Sequence, residues 1–126
     1  MVRGAEAYRR VNAETRSPIE LVVMLYDGAI RFVGDARDAA EHNDVVGRTR
    51  AVSRALAIVT ELQNTLQLED GGDVAIELDR LYSYMTSRLL DSNVKRDRKA
   101  LDEVHRLLCT VRDGWAQVGS PTGARA

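Results

Sequence analysis

The chain has 126 residues, a length that fits a single domain. Its 18 basic and 19 acidic side chains leave a net charge of −1, which argues against a dedicated nucleic-acid-binding protein, because such proteins neutralise phosphates with an excess of cations. The single cysteine excludes an internal disulfide framework, and no apolar run approaches the roughly 20 residues that span a bilayer. Residues 1–14 lack the apolar middle region of a signal peptide, so we expect a cytoplasmic protein without stable membrane insertion.

The first predicted helix covers residues 18–41. Ser17 precedes Pro18, and Glu20 follows the serine by three residues, which is the pattern of a capping box at a helix N-terminus. Apolar residues then recur at intervals of three and four, and others widen the stripe to about half of the circumference. This helix is therefore expected to contact more than one neighbour, or one neighbour and a partner. Gly28 lies in its interior, where glycine costs about 1 kcal/mol against alanine, and it predicts the close approach of another backbone.

Three more amphipathic helices are predicted, over residues 44–67, 73–93 and 97–118. A pair of glycines separates the second helix from the third, and polar links separate the others. No segment alternates with a period of two residues, so no sheet is expected. Aspartates stand at the candidate N-caps, which are Asp44, then Asp70 or Asp73, and finally Asp97.

Short links favour antiparallel neighbours, and the rhythm of three and four favours shallow crossing angles of about 20°. The sequence thus predicts an all-α protein, an antiparallel four-helix bundle over residues 17–118. Residues 1–16 are polar overall but carry Tyr8 and Val11 at helical spacing, so they are expected to form an N-terminal cap segment. Residues 119–126 are expected to form a flexible tail.

Patterns that would support catalysis or metal binding are weak. A di-metal site in a helical bundle needs a Glu-x-x-His pair on two helices, and only Asp102 and His105 come near this spacing. Cys109 follows His105 by four residues, but no third group that would orient the histidine is evident, and cysteine is commonly a small buried residue. We therefore expect no enzyme activity, no metal and no cofactor.

The densest basic cluster lies in the link before the last predicted helix. It is either a binding site for an acidic partner or, as the simpler interpretation, a solvated loop with cations near a helix C-terminus. Asn93, just before it, is expected to cap the third helix. The basic residues are Lys95, Arg96, Arg98 and Lys99.

One run of motifs is specific in its position and spacing. The Ser-Pro cap at residues 17–18 is followed by Met-Leu-Tyr-Asp-Gly-Ala at residues 24–29. With the pieces below, this order resembles the FliS family of flagellar export chaperones over about residues 5–118, although the link at 93–97 is more basic than the family pattern. The other matching pieces are residues 7–8, 14–21, 71–75, 78, 81–85, 89, 93, 101–104 and 112–115.

The resemblance implies a small cytoplasmic chaperone of type III export. Its client, meaning the exported protein that it holds, would be newly made flagellin, bound through a C-terminal segment that is disordered alone and becomes partly helical on the bundle. Binding would prevent premature polymerisation. The family's N-terminal tyrosine implies that Tyr8 covers the groove when no client is bound. An export-gate component and assembly regulators are further implied partners.

The excess width of the apolar stripes on the first and third predicted helices indicates a client groove there. Of its members, Ile30 and Tyr82 are expected to be exposed. A different interpretation, a structural or adaptor bundle that associates with itself without a client, stays open, and the free protein is expected to be a monomer or weak homodimer. The expected client-binding residues are Tyr8, Tyr26, Ile30, Leu78, Tyr82, Met85, Leu89 and Asn93.

Overall fold

The computed structural model describes residues 17–66 and 71–119, and these residues form four α-helices. The helices are α1 (Pro18–Glu41), α2 (Val45–Asn64), α3 (Gly72–Val94) and α4 (Arg98–Gly119). The predicted all-α bundle is confirmed, and its helix bounds agree within a residue except at the end of α2, which stops three residues earlier. The predicted cap segment with Tyr8, and residues 120–126 of the predicted tail, lie outside the described residues.

Three of the four helices begin at the side-chain caps that the sequence predicts. The Ser17 hydroxyl accepts a hydrogen bond from the Glu20 backbone N–H at 3.1 Å. Asp44 accepts from the Gly47 N–H at 2.9 Å. Asp97 accepts from the Ala100 and Lys99 N–H groups at 3.3 and 3.1 Å. Each carboxylate or hydroxyl thus satisfies an N–H that has no partner within its helix.

Helix α3 has different cap residues from those predicted, although its bounds agree within one residue. Gly71 is its N-cap and makes no side-chain hydrogen bond, while Gly72 has a φ of 60°, which suits glycine because it has no Cβ. Asp73 therefore lies in the first turn and is not the cap. At the other end the C-cap is Lys95, so the prediction that Asn93 caps this helix is wrong.

The helices run antiparallel around a square. Helix α1 packs on α2 and α4, α3 packs on the same two helices, and α1 faces α3 across the diagonal. Side-chain contacts join the start of one helix to the end of its neighbour, as antiparallel packing requires. The contacts that show this are Arg48 with Asn93 (3.4 Å), Gln63 with Asp79 (2.9 Å), Arg98 with Glu41 (3.4 Å) and Arg112 with Asp27 (2.8 Å).

The centre of the core contains a pair of tyrosines from opposite helices. The Tyr26 and Tyr82 hydroxyls are hydrogen-bonded to each other, and the ring centroids lie 6.4 Å apart. Tyr82 is only 1% exposed, so the prediction that its side chain is exposed is wrong. Burial raises the pKa of both tyrosines, most strongly that of Tyr26, so both stay protonated at neutral pH.

Gly28 allows a close contact between α1 and α2, but the neighbour is a side chain. A Cβ at Gly28 would lie 3.1 Å from the terminal Cδ1 atom of Ile58. The prediction that another backbone approaches Gly28 is therefore wrong. The packing there is tight, but the neighbour is the Ile58 side chain. Ile58 itself packs against the core cluster.

The buried tyrosine pair gives a prediction about stability. Replacing Tyr26 with Phe leaves the Tyr82 hydroxyl without its partner, and we expect the free energy of unfolding to fall by about 1–3 kcal/mol. The double variant Tyr26→Phe/Tyr82→Phe leaves no hydroxyl unpaired and should be more stable than Tyr26→Phe alone. Urea unfolding followed by far-UV circular dichroism measures both. A double variant whose loss equals the sum of the two single losses would contradict the pairing.

Candidate functional site: an apolar groove at one end of the bundle

An apolar groove opens at the end of the bundle where α1 and α3 begin and α2 and α4 end. We call it the end groove. Its volume is about 570 Å³, within the range of ordinary ligand sites. The residues that line it are Pro18, Leu21, Val22, Leu25, Leu62, Thr65, Leu66, Gly71, Val74, Ala75, Leu78, Tyr82 and Trp115.

The hydroxyl groups in this lining are engaged within the protein. The Thr65 hydroxyl donates to the Leu62 carbonyl at 2.6 Å, and the Tyr82 hydroxyl is bonded to Tyr26. Leu62 and Tyr82 belong to the closed core, so the floor of the end groove is part of that core. The groove thus offers apolar contact surface and few polar groups, which suits apolar side chains rather than a polar substrate.

A second apolar groove continues from the first along the side of the bundle. This side groove has a volume of about 310 Å³ and lies between the start of α3 and the end of α4. It shares Val74, Leu78 and Trp115 with the end groove, so the two form one apolar surface. Val74 is 68% exposed. The lining residues are Val74, Leu78, Val111, Gly114, Trp115 and Val118.

The predicted client-binding residues are spread over three regions. Leu78 lines both grooves, and Tyr82 contributes to the floor of the end groove. Ile30 is half-buried and packs against the core, so the expectation that it is exposed is wrong. The remaining described members are fully buried in the core (Tyr26, Met85, Leu89) or lie at the opposite end of the bundle (Asn93), and Tyr8 lies outside the described residues.

Sequence reasoning missed most of the groove because its members look like core residues. Val22, Leu25, Val74, Trp115 and Val118 fall on the apolar stripes with the same spacing as buried positions. One signal was available. These residues lie in the outer turns of their helices, where fewer neighbours remain to cover an apolar stripe.

Cys109 and His105 are in contact on α4. The Cys109 Sγ lies 3.9 Å from the His105 Nδ1. Burial lowers the pKa of His105, and the nearby Arg37 guanidinium lowers it further, while Asp102 raises it.

Among the residues that the structure describes, no three His, Cys, Asp or Glu side chains are grouped to hold a metal ion. In the same residues, no helix has the length and apolarity to cross a membrane.

Comparisons with known proteins identify the family of this chain. The family model described as flagellar protein FliS matches residues 1–122. The chain belongs to this family. The resemblance stated from the sequence is therefore confirmed, and the chain is a flagellar export chaperone by family rather than an enzyme.

Several curated relatives carry the same family name. Flagellar secretion chaperone FliS of Salmonella typhimurium is 38% identical over 120 residues, which cover 91% of this chain and 89% of that protein. Flagellar secretion chaperone FliSB of Pseudomonas aeruginosa is 33% identical over 118 residues, covering 90% and 94%. Flagellar secretion chaperone FliS of Vibrio cholerae is 31% identical over 122 residues, covering 93% and 90%. This FliS-family chain is thus similar to its relatives along nearly their whole length.

The half-buried position of Ile30 against the core and the exposure of Val74 predict effects of different size on stability for the same substitution. Ile30→Asp places a carboxylate against the core and should lower the free energy of unfolding by about 2 kcal/mol or more. Val74 lies in the first turns of α3, where the helix dipole stabilises a carboxylate. Val74→Asp should therefore change the free energy of unfolding by less than about 0.5 kcal/mol. Thermal unfolding of the two variants measures this difference. Equal melting temperatures would contradict the assigned burial.

Proposed function

We propose that this FliS-family chain binds the C-terminal segment of a flagellin in the end groove and the side groove. The observation that carries the proposal is the continuous apolar surface around Val74, Leu78 and Trp115. In this proposal the client segment lies on the bundle as a partly helical chain, in the cytoplasm, and is kept from polymerising until export. The names of the relatives, flagellar secretion chaperones, support an exported client.

The energetics of such binding favour a long apolar surface. A segment that orders on binding loses about 1–2 kcal/mol of backbone entropy per residue. Each apolar side chain that it buries returns about 1.5–3 kcal/mol. A helical client presents such side chains every three or four residues, and the two joined grooves offer room for several of them. Affinity then comes from repeated apolar anchors and not from one polar contact.

The N-terminal segment is a proposed competitor for the same surface. Pro18, which the N-terminal segment joins through Ser17, begins α1 and also lines the end groove. We propose that Tyr8 docks in the groove when the client is absent. Tethering gives this contact a high effective concentration, so few apolar side chains are needed.

Client binding is tested with matched variants on α3. Val74 lines both grooves, whereas Ile76, two residues later and also exposed, lines neither. We expect Val74→Asp to weaken binding of a synthetic C-terminal peptide of the cognate flagellin at least tenfold, and Ile76→Asp to leave it unchanged. Isothermal titration calorimetry gives the affinities, and fluorescence of Trp115, the only tryptophan, reports occupation of the grooves.

Three outcomes would contradict the proposal. If both variants bind equally, the client lies elsewhere on the bundle. If the wild-type chain binds no flagellin peptide and instead forms a stable homodimer that Val74→Asp disrupts, the self-associating adaptor is the better interpretation. If Tyr8→Ala leaves the association and dissociation rates unchanged in stopped-flow fluorescence, the N-terminal segment is not a competitor.

A further inference from the structure

The end of the bundle opposite the end groove combines exposed apolar side chains with cations. Helix α2 begins there with Val45 and Val46, and α3 ends there with Leu90 and Val94. All four are exposed, and Val94 is 81% exposed. The contact between Arg48 and Asn93 brings these two helix ends together. An exposed apolar patch with a charged rim is typical of an interaction surface.

Most carboxylates close to this patch are already paired, and Asp44, which forms no ion pair, caps α2 through the Gly47 N–H. Arg88 contacts Asp91 at 3.8 Å and Asp97 at 3.4 Å, and Arg98 contacts Glu41 at 3.4 Å. Residues 44–48 and 88–99 hold six cations and three carboxylates, so cations remain in excess at this end. Over residues 17–66 and 71–119, the side chains of Arg48, Arg96 and Lys99 form no ion pair.

Arg48 is the most unusual of these three cations. It is 8% exposed, and its Nε donates to the Asn93 side-chain oxygen at 3.4 Å. Arginine is almost never this buried without a charged partner. Because no buried nitrogen among the described residues lacks a partner, its remaining guanidinium nitrogens reach solvent. The guanidinium is thus held in place from inside and offers its other donors to a carboxylate from outside.

Arg96 occupies a backbone conformation that favours glycine. Its φ is 52°, in the left-handed region, which costs a residue with a Cβ about 1–2 kcal/mol. Glycine or asparagine usually follows a helix at such a position. An arginine in this strained conformation points to a role for its side chain.

We propose that this basic end, made of Arg48, Val94, Arg96 and Lys99 with the adjoining apolar residues, binds an acidic segment of a partner protein that carries apolar anchor side chains. The charge excess selects carboxylates, and the exposed valines accept the anchors. The site lies at the opposite end from the end groove, so it does not depend on the proposed flagellin site. The partner and the client are bound at the same time.

A synthetic probe tests this inference on the full chain. The probe is a fluorescent 16-residue peptide with Leu at helical spacing of three and four and Glu elsewhere, and its control carries Gln in place of Glu. We expect the Glu peptide to bind at least ten times more tightly than the Gln peptide by fluorescence anisotropy. Its affinity should fall as salt rises from about 50 to 300 mM, because the charges are exposed.

Variants locate the probe. The double variant Arg96→Gly/Lys99→Gln should weaken binding of the Glu peptide at least tenfold without lowering the melting temperature, because Arg96→Gly relieves the left-handed strain. Arg80→Gln, on α3 outside the basic end, is the matched control and should bind normally. Val74→Asp should also bind normally, and the flagellin peptide should not displace the probe.

Several results would overturn the inference. Normal binding by the double variant, or loss of binding in Val74→Asp, would place the probe elsewhere. Displacement of the Glu peptide by the flagellin peptide would show that both peptides bind the same surface. If phosphatidylserine vesicles bind through Arg96 and Lys99 but the Glu peptide does not, the surface recognises a membrane. If sedimentation shows that the same residues hold two copies together, it is a homodimer interface.

Discussion

The hydrogen bond between the Tyr26 and Tyr82 hydroxyls is the contact on which the rest of the bundle depends. A buried hydroxyl without a partner costs about 1–3 kcal/mol, roughly twice what a satisfied hydrogen bond contributes, and the surrounding core is apolar. The two helices that carry these tyrosines face each other across the diagonal and share few other contacts. This bond is therefore a direct link between two helices that otherwise pack mainly on α2 and α4.

The same pair joins the core to the proposed client surface. The Tyr82 side chain lines the floor of the end groove while its hydroxyl is bonded inside the core. Trp115, which lines both grooves, also interacts with the Tyr26 hydroxyl and lowers its pKa against the effect of burial. The floor is thus supported by the packed core, and the groove has a shape before any client arrives. A preformed surface reduces the cost of ordering on the chaperone side of a complex.

The two ends of the bundle differ in chemistry. At the α3–α4 link, Arg88 donates to Glu103 at 2.8 Å, and the Tyr84 hydroxyl donates to the same carboxylate at 2.7 Å. These hydrogen bonds lower the pKa of Glu103, so the carboxylate stays ionised and α3 stays tied to α4 at neutral pH. The opposite end has an apolar groove instead. The net charge of −1 does not reveal this asymmetry, because it is a sum over the whole chain and carries no information on where the charges lie.

The sequence by itself determined the helices, three of their caps and the family, because these depend on residues close together in the chain. Ser17, Asp44 and Asp97 bond to N–H groups two or three residues away, and apolar periodicity marks which face of each helix is buried. Only the tertiary structure decided which apolar residues stay uncovered. Tyr26 and Tyr82 lie 56 residues apart and meet in the core, whereas Val74, on the same kind of stripe, lies beyond its neighbours and is exposed. Periodicity reports the direction of a side chain around its helix axis, but exposure also depends on where the neighbouring helices stop along that axis.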